Sequence, residues 1–593
     1  MDGTPLTRHA VRAGLMGGVG IVYLALVGMI QAFSGTSLIG DVATLARLLI
    51  LFPPFIAGYV VVRPRVQGGE TVTVAPIRAL TVGAVTGLIA GGLTAAGVAL
   101  VEILPEETVR NIFVAVTTQL IDIVTFDRST VQGIAILIIL AAASGALGGF
   151  LGVIRLRIRR PIAVGIIVVL LLGMLQDVFR VALIQLGVPT AWLYSARFGG
   201  LTYLGGVVVF AVAAAATLVW ADRRRLARAQ DEEEPAPDSR GVGQRPTQML
   251  IAVGIFVVLA LLPVLLGTFL SSVLGRVGLF LLMGLGLNIV VGYAGLLDLG
   301  YVAFFAVGAY TTGVLTAAPD SGSSIHVGLG FFEAAPIVIV IAVVTGVIIG
   351  GPVLRLRGDY LAIVTLGFGE IARVLVTSDW LKPFLGGAQG LIGIPAPSIL
   401  GFSFRDPQPF YYLALAFCAV AAFISWRLAT SRVGRAWTAM REDEQVAEAM
   451  GVSTVKYKLL AFACGAGIGS LSGALFAVQI GSLAPSSFSI LISIQALAII
   501  ILGGMGSIPG VIVGGLVLIG LPGFLSEFQE FQLLIYGAVL VTIMLLRPQG
   551  LVPNVRRMRE LREDEEAQDQ WAKDLDADTA RAFSAEPLGG PPG

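Results

Sequence analysis

Two residues of opposite charge stand close together inside a largely apolar stretch of the sequence. Glu370 and Arg373 belong to "GDYLAIVTLGFGEIARVLV", residues 358–376, which has the composition of a membrane helix. At a spacing of i, i+3 the two side chains share one helix face and can form an ion pair. A charge at the bilayer centre costs about 2.5–3.5 kcal/mol on insertion scales, so we expect the pair near an interface or facing the helix bundle. Two interpretations stay open: a structural pair, or part of the outer mouth of a solute pathway.

A second group of charged residues lies in the polar segment "SRVGRAWTAMREDEQVAEAMGVSTVKYKLLAF", residues 431–462. The part "DEQVAEAMG" favours a short helix that ends at Gly451, since glycine tolerates positive φ after a helix C-terminus. The segment is too polar to enter the membrane and too short to be a domain. It is therefore either a handle for a cytoplasmic partner or an ordinary surface loop.

A third group combines polar residues with glycines in "GLGLNIVVGYAGLLDLGYVAFFAVGAYTTGVL", residues 284–315. Glycines allow helices to approach closely, which explains them by packing alone. They also permit broken helices that line a pathway with backbone polar groups. Together with the charged pair above, the candidate pathway residues are Asn288, Gly292, Gly295, Asp298, Glu370 and Arg373.

Other kinds of chemistry find little support in the sequence. The two cysteines, Cys418 and Cys464, lie in apolar runs, and the two histidines are His9 and His326. This distribution predicts no metal site and no cofactor in the chain. The motif GxxxxGK[ST] is missing, so we expect no ATPase domain, and neither HExxH nor GxSxG points to an enzyme. A net charge of +1 gives no bulk attraction to nucleic acid.

Composition identifies the elements that must position these residues. The chain has 593 residues, of which 56% are hydrophobic and 13% charged, whereas a soluble protein carries about 25% charged residues. Repeated apolar runs of membrane-spanning length predict an all-α polytopic membrane protein with about 16 transmembrane helices. Six are expected near 13–33, 42–62, 77–101, 132–154, 162–184 and 200–220. About ten more are expected near 248–270, 277–293, 299–317, 335–353, 360–378, 410–427, 457–479, 488–504, 509–526 and 531–547.

Charge placement divides the chain into four parts. Residues 1–220 form a six-helix membrane module of unknown role, and residues 221–247 form a charged cytoplasmic linker. Residues 248–555 hold the remaining spans, and residues 556–593 form a charged cytoplasmic tail. Lysines and arginines are concentrated in every second connection between the predicted spans. Because positively charged connections stay in the cytoplasm, this pattern predicts that both termini are cytoplasmic.

The second half resembles the permeases of branched-chain amino acid ABC importers of the LivM type, over about residues 248–555. The resemblance rests on four stretches in the family's order: residues 284–315, 358–376 and 431–477, and "ILGGMGSIPGVIVGGLVLIGLP" with "LLRPQGL" (501–522 and 545–551).

The resemblance implies a multi-subunit machine in a prokaryotic plasma membrane. It implies a second permease subunit forming a heterodimer, two cytoplasmic P-loop ATPase subunits, an extracytoplasmic binding protein, and branched-chain amino acids or similar small polar solutes as cargo. It also implies that the polar segment is a coupling helix that docks on an ATPase. Its EAA-like motif falls on Glu448, Ala449 and Gly451, with Arg441, Glu442 and Glu444 just before it. The alternative is a stand-alone secondary transporter or channel.

Overall fold

The structure is a computed structural model. It describes residues 4–552, except 41, 63–64, 68–69, 73–74, 105–112, 114, 155, 196–198, 232–244, 320, 326, 354–355, 357, 525–530 and 548. The chain divides into two compact units, Met1–Gly254 and Ile255–Gly593. The predicted tail 556–593 and residues 232–244 of the predicted linker lie outside the described residues.

The first unit consists of helices and two small antiparallel strand pairs, β1 with β2 and β3 with β4. Its helices are α1 (Thr4–Leu26), α2 (Met29–Ala32), α3 (Leu45–Val62), α4 (Pro76–Ile103), α5 (Thr118–Val124), α6 (Thr130–Val153), α7 (Leu156–Met174), α8 (Gln176–Gln185) and α9 (Tyr203–Asp231). The strands are β1 (Ser37–Ile39), β2 (Ala43–Thr44), β3 (Arg65–Gln67) and β4 (Glu70–Val72).

Close helix packing holds α3, α4 and α6 together. A Cβ on Gly145 of α6 would lie 2.3 Å from the carbonyl oxygen of Gly83 on α4. Backbones approach this closely only where side chains are small, and such packing drives helix association in lipid. The helices are apolar on most sides, as expected for membrane spans.

Helix α10 (Arg245–Leu287) bends at Gly267, where φ is +76°, and it enters the second unit. The further helices are α11 (Val302–Thr316), α12 (Phe331–Val353), α13 (Asp359–Thr377), α14 (Lys382–Leu385), α15 (Pro407–Thr430), α16 (Arg432–Glu442), α17 (Glu444–Ala449), α18 (Thr454–Ile480), α19 (Ile490–Gly503), α20 (Ile508–Gly515), α21 (Leu521–Phe524) and α22 (Gln532–Leu546). Single turns of π-helix occupy Asn288–Tyr293 and Leu516–Gly520, and 3₁₀ turns occupy Gly387–Gln389 and Pro485–Ser487. Strand β5 (Leu391–Ile392) pairs with β8 (Ser482–Leu483), and β6 (Ser398–Ile399) pairs with β7 (Phe402–Ser403).

Two long helical stretches form the centre of the second unit. Most residues of the span Gly267–Tyr293 and of α18 are buried, whereas fewer than a third of the residues of α12, α13 and α15 are. Most residues of α11 are also buried. The glycine-rich segments identified from the sequence therefore lie in the middle of the bundle, and the outer helices surround them.

The fold class is confirmed, but the predicted count of about 16 spans is not. Among the described residues, eleven helices are long and apolar enough to cross a membrane, or twelve if α7 and α8, bent by 78°, form one span. Three further apolar helices are shorter: Val302–Thr316, Ile508–Phe524 and Gln532–Leu545. Predicted spans 299–317, 509–526 and 531–547 correspond to these shorter helices, because turns interrupt or shorten the apolar runs.

Two boundaries differ from those expected. Helix α9 continues to Asp231, so the first part of the predicted linker 221–247 is helical. The predicted spans 248–270 and 277–293 are separate helices that meet at Gly267, where the backbone is not helical, and the second span runs from Gly267 to Tyr293 rather than from 277. A bend in an apolar run leaves no polar connection that the sequence pattern would reveal.

Candidate functional site

The first part of the site is a break in the central helix. After α10, the chain forms one turn of π-helix, Asn288–Tyr293, and Gly295 follows with φ of +73°. Turns of π-helix are rare and occur frequently at functional sites. The break ends where α11 begins at Val302, and we call residues 288–301 the broken-helix segment.

Asn288 connects this segment to a distant loop. Its side chain is fully buried, and its Oδ1 accepts a hydrogen bond from the backbone N–H of Gly506 at 2.9 Å. A Cβ on Gly292 would lie 2.1 Å from that same Oδ1 and 2.7 Å from the Gly506 nitrogen. Position 292 must therefore be glycine for the contact to form.

Asp298 lies at the other end of the broken-helix segment. The side chain is 1% exposed, and its Oδ1 accepts from the N–H of Gly300 at 2.9 Å. Its Oδ2 and the Nδ2 of Asn288 are buried without a hydrogen-bond partner among the described residues. Buried polar groups are costly inside a membrane-spanning unit and usually mark a functional region.

Side chains from two other helices hold the start of α11. The hydroxyl of Thr365 on α13 accepts from the N–H of Leu299 at 3.1 Å, and that of Ser493 on α19 accepts from Val302 at 2.8 Å. Backbone N–H groups at a helix start need such partners because no helical carbonyl reaches them. The broken-helix segment thus joins helices that are far apart in sequence.

The second part of the site is the pair α16 and α17, residues Arg432–Ala449, here called the two-helix segment. Ser431 caps α16 by accepting from Val433 and Gly434, and Asp443 caps α17 by accepting from Gln445 and Val446. These caps use the residue types preferred at helix starts. At the far end, Gly451 has φ of +87°, and its N–H donates to the carbonyl of Glu448. The predicted short helix and its glycine stop are confirmed.

Buried contacts fix the two-helix segment on the bundle. Trp437 is fully buried, and its Nε1 donates to the carbonyl of Tyr457 on α18 at 2.8 Å. Glu444 pairs with Lys458 of α18, with Oε1 and Nζ 2.6 Å apart. Ala447 is also buried. The segment is therefore tied to a central helix rather than held as a loose loop.

Arg441 joins the two parts of the site. Its Nη1 donates to the backbone carbonyl of Gly292, across a sequence separation of 149 residues. A Cβ on Gly295 would lie 2.8 Å from Cγ of Arg441, so the arginine packs directly on this glycine. The structure thereby brings together Arg441, Gly292 and Gly295, which the sequence suggested for two separate roles.

The outward surface of the two-helix segment is mixed in chemistry. Glu442, Glu448, Ala449 and Gly451 are exposed, and Glu444 is half-buried in its ion pair. Two exposed apolar side chains adjoin them, Val446 at 59% and Met450 at 81%. Large apolar side chains beside carboxylates at one helix end offer a surface suited to a protein partner.

Glu370 and Arg373 form an ion pair with each other on α13. Nε and Nη2 of Arg373 donate to Oε1 of Glu370, the first at 2.9 Å. The side chains of Glu370 and Arg373 are 49% and 42% exposed. Within this chain the pair is formed on the surface of α13 and is not buried in the bundle.

Several residues of the site were not identified from the sequence. Gly506 lies within the quoted stretch "ILGGMGSIPG", but its contact with Asn288 spans 218 residues. Thr365 and Ser493 carry no distinguishing pattern in their apolar surroundings, and Lys458 lies in the polar segment 431–462 without a feature that marks Glu444 as its partner. Among the described residues, no group of three or more His, Cys, Asp and Glu side chains could hold a metal ion.

The membrane-spanning helices, the broken central helix and the exposed two-helix segment together define the class of protein: a polytopic α-helical membrane protein. The family described as "Branched-chain amino acid transport system / permease component" matches residues 269–544, within the second unit.

Individual relatives agree with that match. The chain is 36% identical over 343 residues to the high-affinity branched-chain amino acid transport system permease protein LivM of Escherichia coli, covering 54% of this chain and 78% of that protein. LivM of Salmonella typhimurium is 38% identical over 307 residues, with 48% and 70% covered. LivH of Salmonella typhimurium is 26% identical over 297 residues, with 47% and 93% covered. No solved structure matches the chain. The chain therefore belongs to the family of branched-chain amino acid transport system permeases.

Proposed function

We propose that this chain is the permease subunit of an ATP-driven importer and forms half of a translocation pathway for branched-chain amino acids or similar small polar solutes. The chain itself performs no covalent chemistry. Separate P-loop ATPase subunits hydrolyse ATP, and their movement opens and closes the membrane helices. The relatives' names supply the solute class, since the LivM and LivH proteins are described as branched-chain amino acid permeases.

The observation that carries this proposal is the connection from an exposed surface to the centre of the bundle. The exposed end of α17 receives the ATPase, and exposed carboxylates there can accept charge-assisted hydrogen bonds from it. Trp437 and the Lys458–Glu444 pair hold the segment on α18. Arg441 then reaches the broken-helix segment at Gly292. A push on α17 is thereby transmitted to the interrupted helix.

The pathway lies between this chain and a second permease subunit. Broken helices place backbone polar groups where a solute can use them, and Asn288 and Asp298 add buried polar side chains at the break. The surface pair Glu370 and Arg373 lies on an exposed face of α13, where a second permease would cover it or share a polar mouth with it.

The remaining partner is an extracytoplasmic binding protein. At the end of α13 away from the two-helix segment, the chain forms α14, a 3₁₀ turn and strand β5, which pairs with β8 after α18. This ordered connection is a surface on which a binding protein can deliver solute. We propose that the chain lies in a prokaryotic plasma membrane, with both termini in the cytoplasm.

The experiment is ATP-driven uptake of leucine by vesicles that contain the reconstituted complex. Glu448→Lys reverses an exposed charge on α17, and Gly451→Asp strains its C-terminal turn. We expect both variants to lose ATPase binding or uptake by tenfold or more. The matched control is Asp406→Lys. Asp406 is an exposed acid directly before α15, at the end of that helix away from α16, and we expect this variant to retain ATPase binding.

Three results would contradict the proposal. Uptake at the wild-type rate in both variants would show that the two-helix segment does not couple ATP hydrolysis to transport. Leucine uptake by this chain alone, driven by an ion gradient without ATP, would favour a secondary transporter. Purification from the native membrane without an ATPase and a second permease would argue against the assembly.

A further inference from the structure

The loop that contacts Asn288 is also contacted by residues that follow α22. This loop, residues 504–507, connects α19 to α20. The N–H of Gly506 donates to Oδ1 of Asn288 at 2.9 Å. Residues 549–552, here called the return segment, lie against the same loop and against the end of α19. The transport function proposed above gives the return segment no role.

The return segment completes the end of α19. The N–H of Leu551 donates to the carbonyl of Leu502 at 2.8 Å, and the N–H of Val552 donates to that of Gly503 at 2.9 Å. Leu502 and Gly503 are the last two residues of α19, and both are buried. The final carbonyls of a helix have no partner within the helix, and an unpaired carbonyl is costly when it is buried. These two hydrogen bonds therefore fix the return segment on α19.

Two glycines allow the return segment and the loop to touch through their backbones. A Cβ on Gly550 would lie 2.5 Å from Cα of Gly504, and one on Gly504 would lie 2.8 Å from the carbonyl oxygen of Val552. The φ angles of Gly550 and Gly504 are +84° and +120°, a region that other residues rarely adopt. A larger residue at either position would therefore push the return segment and the loop apart.

Hydrogen bonds within the loop extend this constraint toward Asn288. The N–H of Ser507 donates to the carbonyl of Gly504 at 3.2 Å. The hydroxyl of Ser507 accepts from the N–H of Gly510 at 3.1 Å and thereby caps α20. Gly506 lies between Gly504 and Ser507, so the position of its N–H depends on both neighbours.

The turn that begins at Asn288 is thus held by two separate parts of the chain. Arg441 of the two-helix segment donates to the carbonyl of Gly292, within this turn. Gly506 donates to Asn288, and a Cβ on Gly292 would lie 2.7 Å from the Gly506 nitrogen. If Arg441 displaces the turn, the contact with Gly506 must break or the loop must follow. The return segment opposes both, because it holds the loop against α19.

We propose that the return segment is a positioning element for transport: it fixes the loop 504–507, and through Gly506 it sets the position of Asn288. When the return segment leaves α19, the loop loses its backbone neighbours, and the turn at Asn288 loses its fixed partner. The broken-helix segment then moves independently of the two-helix segment, and ATP hydrolysis drives less uptake. This effect on uptake rests on the transport function proposed above, whereas the contacts themselves do not.

The test compares Gly550→Ala with Gly537→Ala by hydrogen–deuterium exchange of the full chain in detergent. The first change adds a Cβ against Gly504, whereas no atom lies within 4 Å of a Cβ added at Gly537 on α22. We expect Gly550→Ala to raise exchange about tenfold or more in peptides that cover residues 502–507 and 289–294, because amide protection is lost when a region opens locally. Exchange in α12 should stay unchanged, and Gly537→Ala should match the unaltered chain.

Two further measurements separate positioning from a general loss of structure. Asn288→Ala removes the acceptor for Gly506, so adding Gly550→Ala to it should raise exchange at 289–294 no further. In the unaltered chain, the amides of Gly506, Leu551 and Val552 should be protected to a similar degree, because they open together. In vesicles with the reconstituted complex, Gly550→Ala should bind the ATPase but lose most of the uptake per ATP hydrolysed.

Unchanged exchange at 289–294 in Gly550→Ala, additive effects of the two changes, or an equal rise of exchange in α12 would each overturn the proposal. If Gly550→Ala does not fold, the unaltered chain still decides: Leu551 and Val552 exchanging much faster than Gly506 would show that the loop does not depend on the return segment. Wild-type uptake per ATP hydrolysed despite raised exchange would contradict the role in transport. Failure of the proposed transport function would differ from all of these, since the unaltered complex itself would show no ATP-driven uptake.

Discussion

Two ion pairs of the second unit differ in what they connect. Lys458 and Glu444 join α18 to α17, and the lysine side chain is 4% exposed. Glu370 and Arg373 join α13 only to itself, and both side chains are more than 40% exposed. A buried pair between elements fixes their relative position, whereas an exposed pair within one helix leaves the position of that helix to other contacts. The first pair therefore fixes one helix on another, whereas the second leaves its charged groups at a surface.

We expect the largest loss of stability at a buried polar contact where the neighbouring atoms leave no space for an added methyl group. In Gly292→Ala the new Cβ would lie 2.1 Å from Oδ1 of Asn288. Overpacking and the lost hydrogen bond should together cost roughly 2–5 kcal/mol of stability. We expect a lower melting temperature and a smaller yield of monodisperse protein, measured by fluorescence thermal shift.

Gly367→Ala is the control for that change. Gly367 lies on α13, and no atom stands within 4 Å of a Cβ added there. Alanine also favours the helix by up to about 1 kcal/mol over glycine. Equal losses of stability in the two variants would show that the broken-helix segment is no more tightly specified than an outer helix.

The two ion pairs can be compared directly by the same substitution. Lys458→Met removes the charge-assisted hydrogen bond from the buried lysine to the half-buried Glu444 and should cost about 1.5–3 kcal/mol, as for a hydrogen bond to a charged group. Arg373→Met on the exposed pair should leave the melting temperature unchanged. Thermal shift in one detergent and one salt concentration measures both variants. Similar melting temperatures for the two variants would show that the ion pair between α17 and α18 stabilises the protein no more than the ion pair within α13 does.

The smallest effect on stability is expected for Glu370→Gln. The pair is exposed and lies within one helix, so the folded complex should assemble normally. We expect uptake to slow by less than tenfold, since the substituted amide would keep the shape of the side chain and lose its charge at the surface that we propose faces a second permease. Normal assembly with wild-type uptake would exclude Glu370 from the pathway, whereas loss of the folded complex would make the pair structural.

Much of the local structure follows from sequence because it depends on neighbouring residues. Asp443 and Gly451 delimit α17 as a helix-starting acid and a helix-ending glycine do elsewhere. The apolar runs likewise predict membrane helices, because hydrophobic length alone decides that outcome.

The contacts that connect the two segments of the site could not be predicted from the sequence. The run around Asn288 is continuously apolar on both sides, so no pattern marks the π turn. The link from Arg441 to Gly292 depends on how α16 docks, and the contact of Asn288 with Gly506 depends on the loop after α19. Such pairings arise from the packing of whole helices, which one sequence does not specify by any local rule.

We propose that Arg441 carries movement from the two-helix segment to the broken-helix segment. Arg441→Met keeps an unbranched chain against Gly295 but removes the donor to Gly292, and Arg435→Met changes an exposed arginine of the same helix as a control. The measurement is ATP hydrolysis and leucine uptake on the same vesicles. We predict that Arg441→Met binds the ATPase and hydrolyses ATP but loses uptake by tenfold or more, while Arg435→Met keeps both. Wild-type uptake per ATP hydrolysed in Arg441→Met would show that Arg441 does not connect the movement of the two segments.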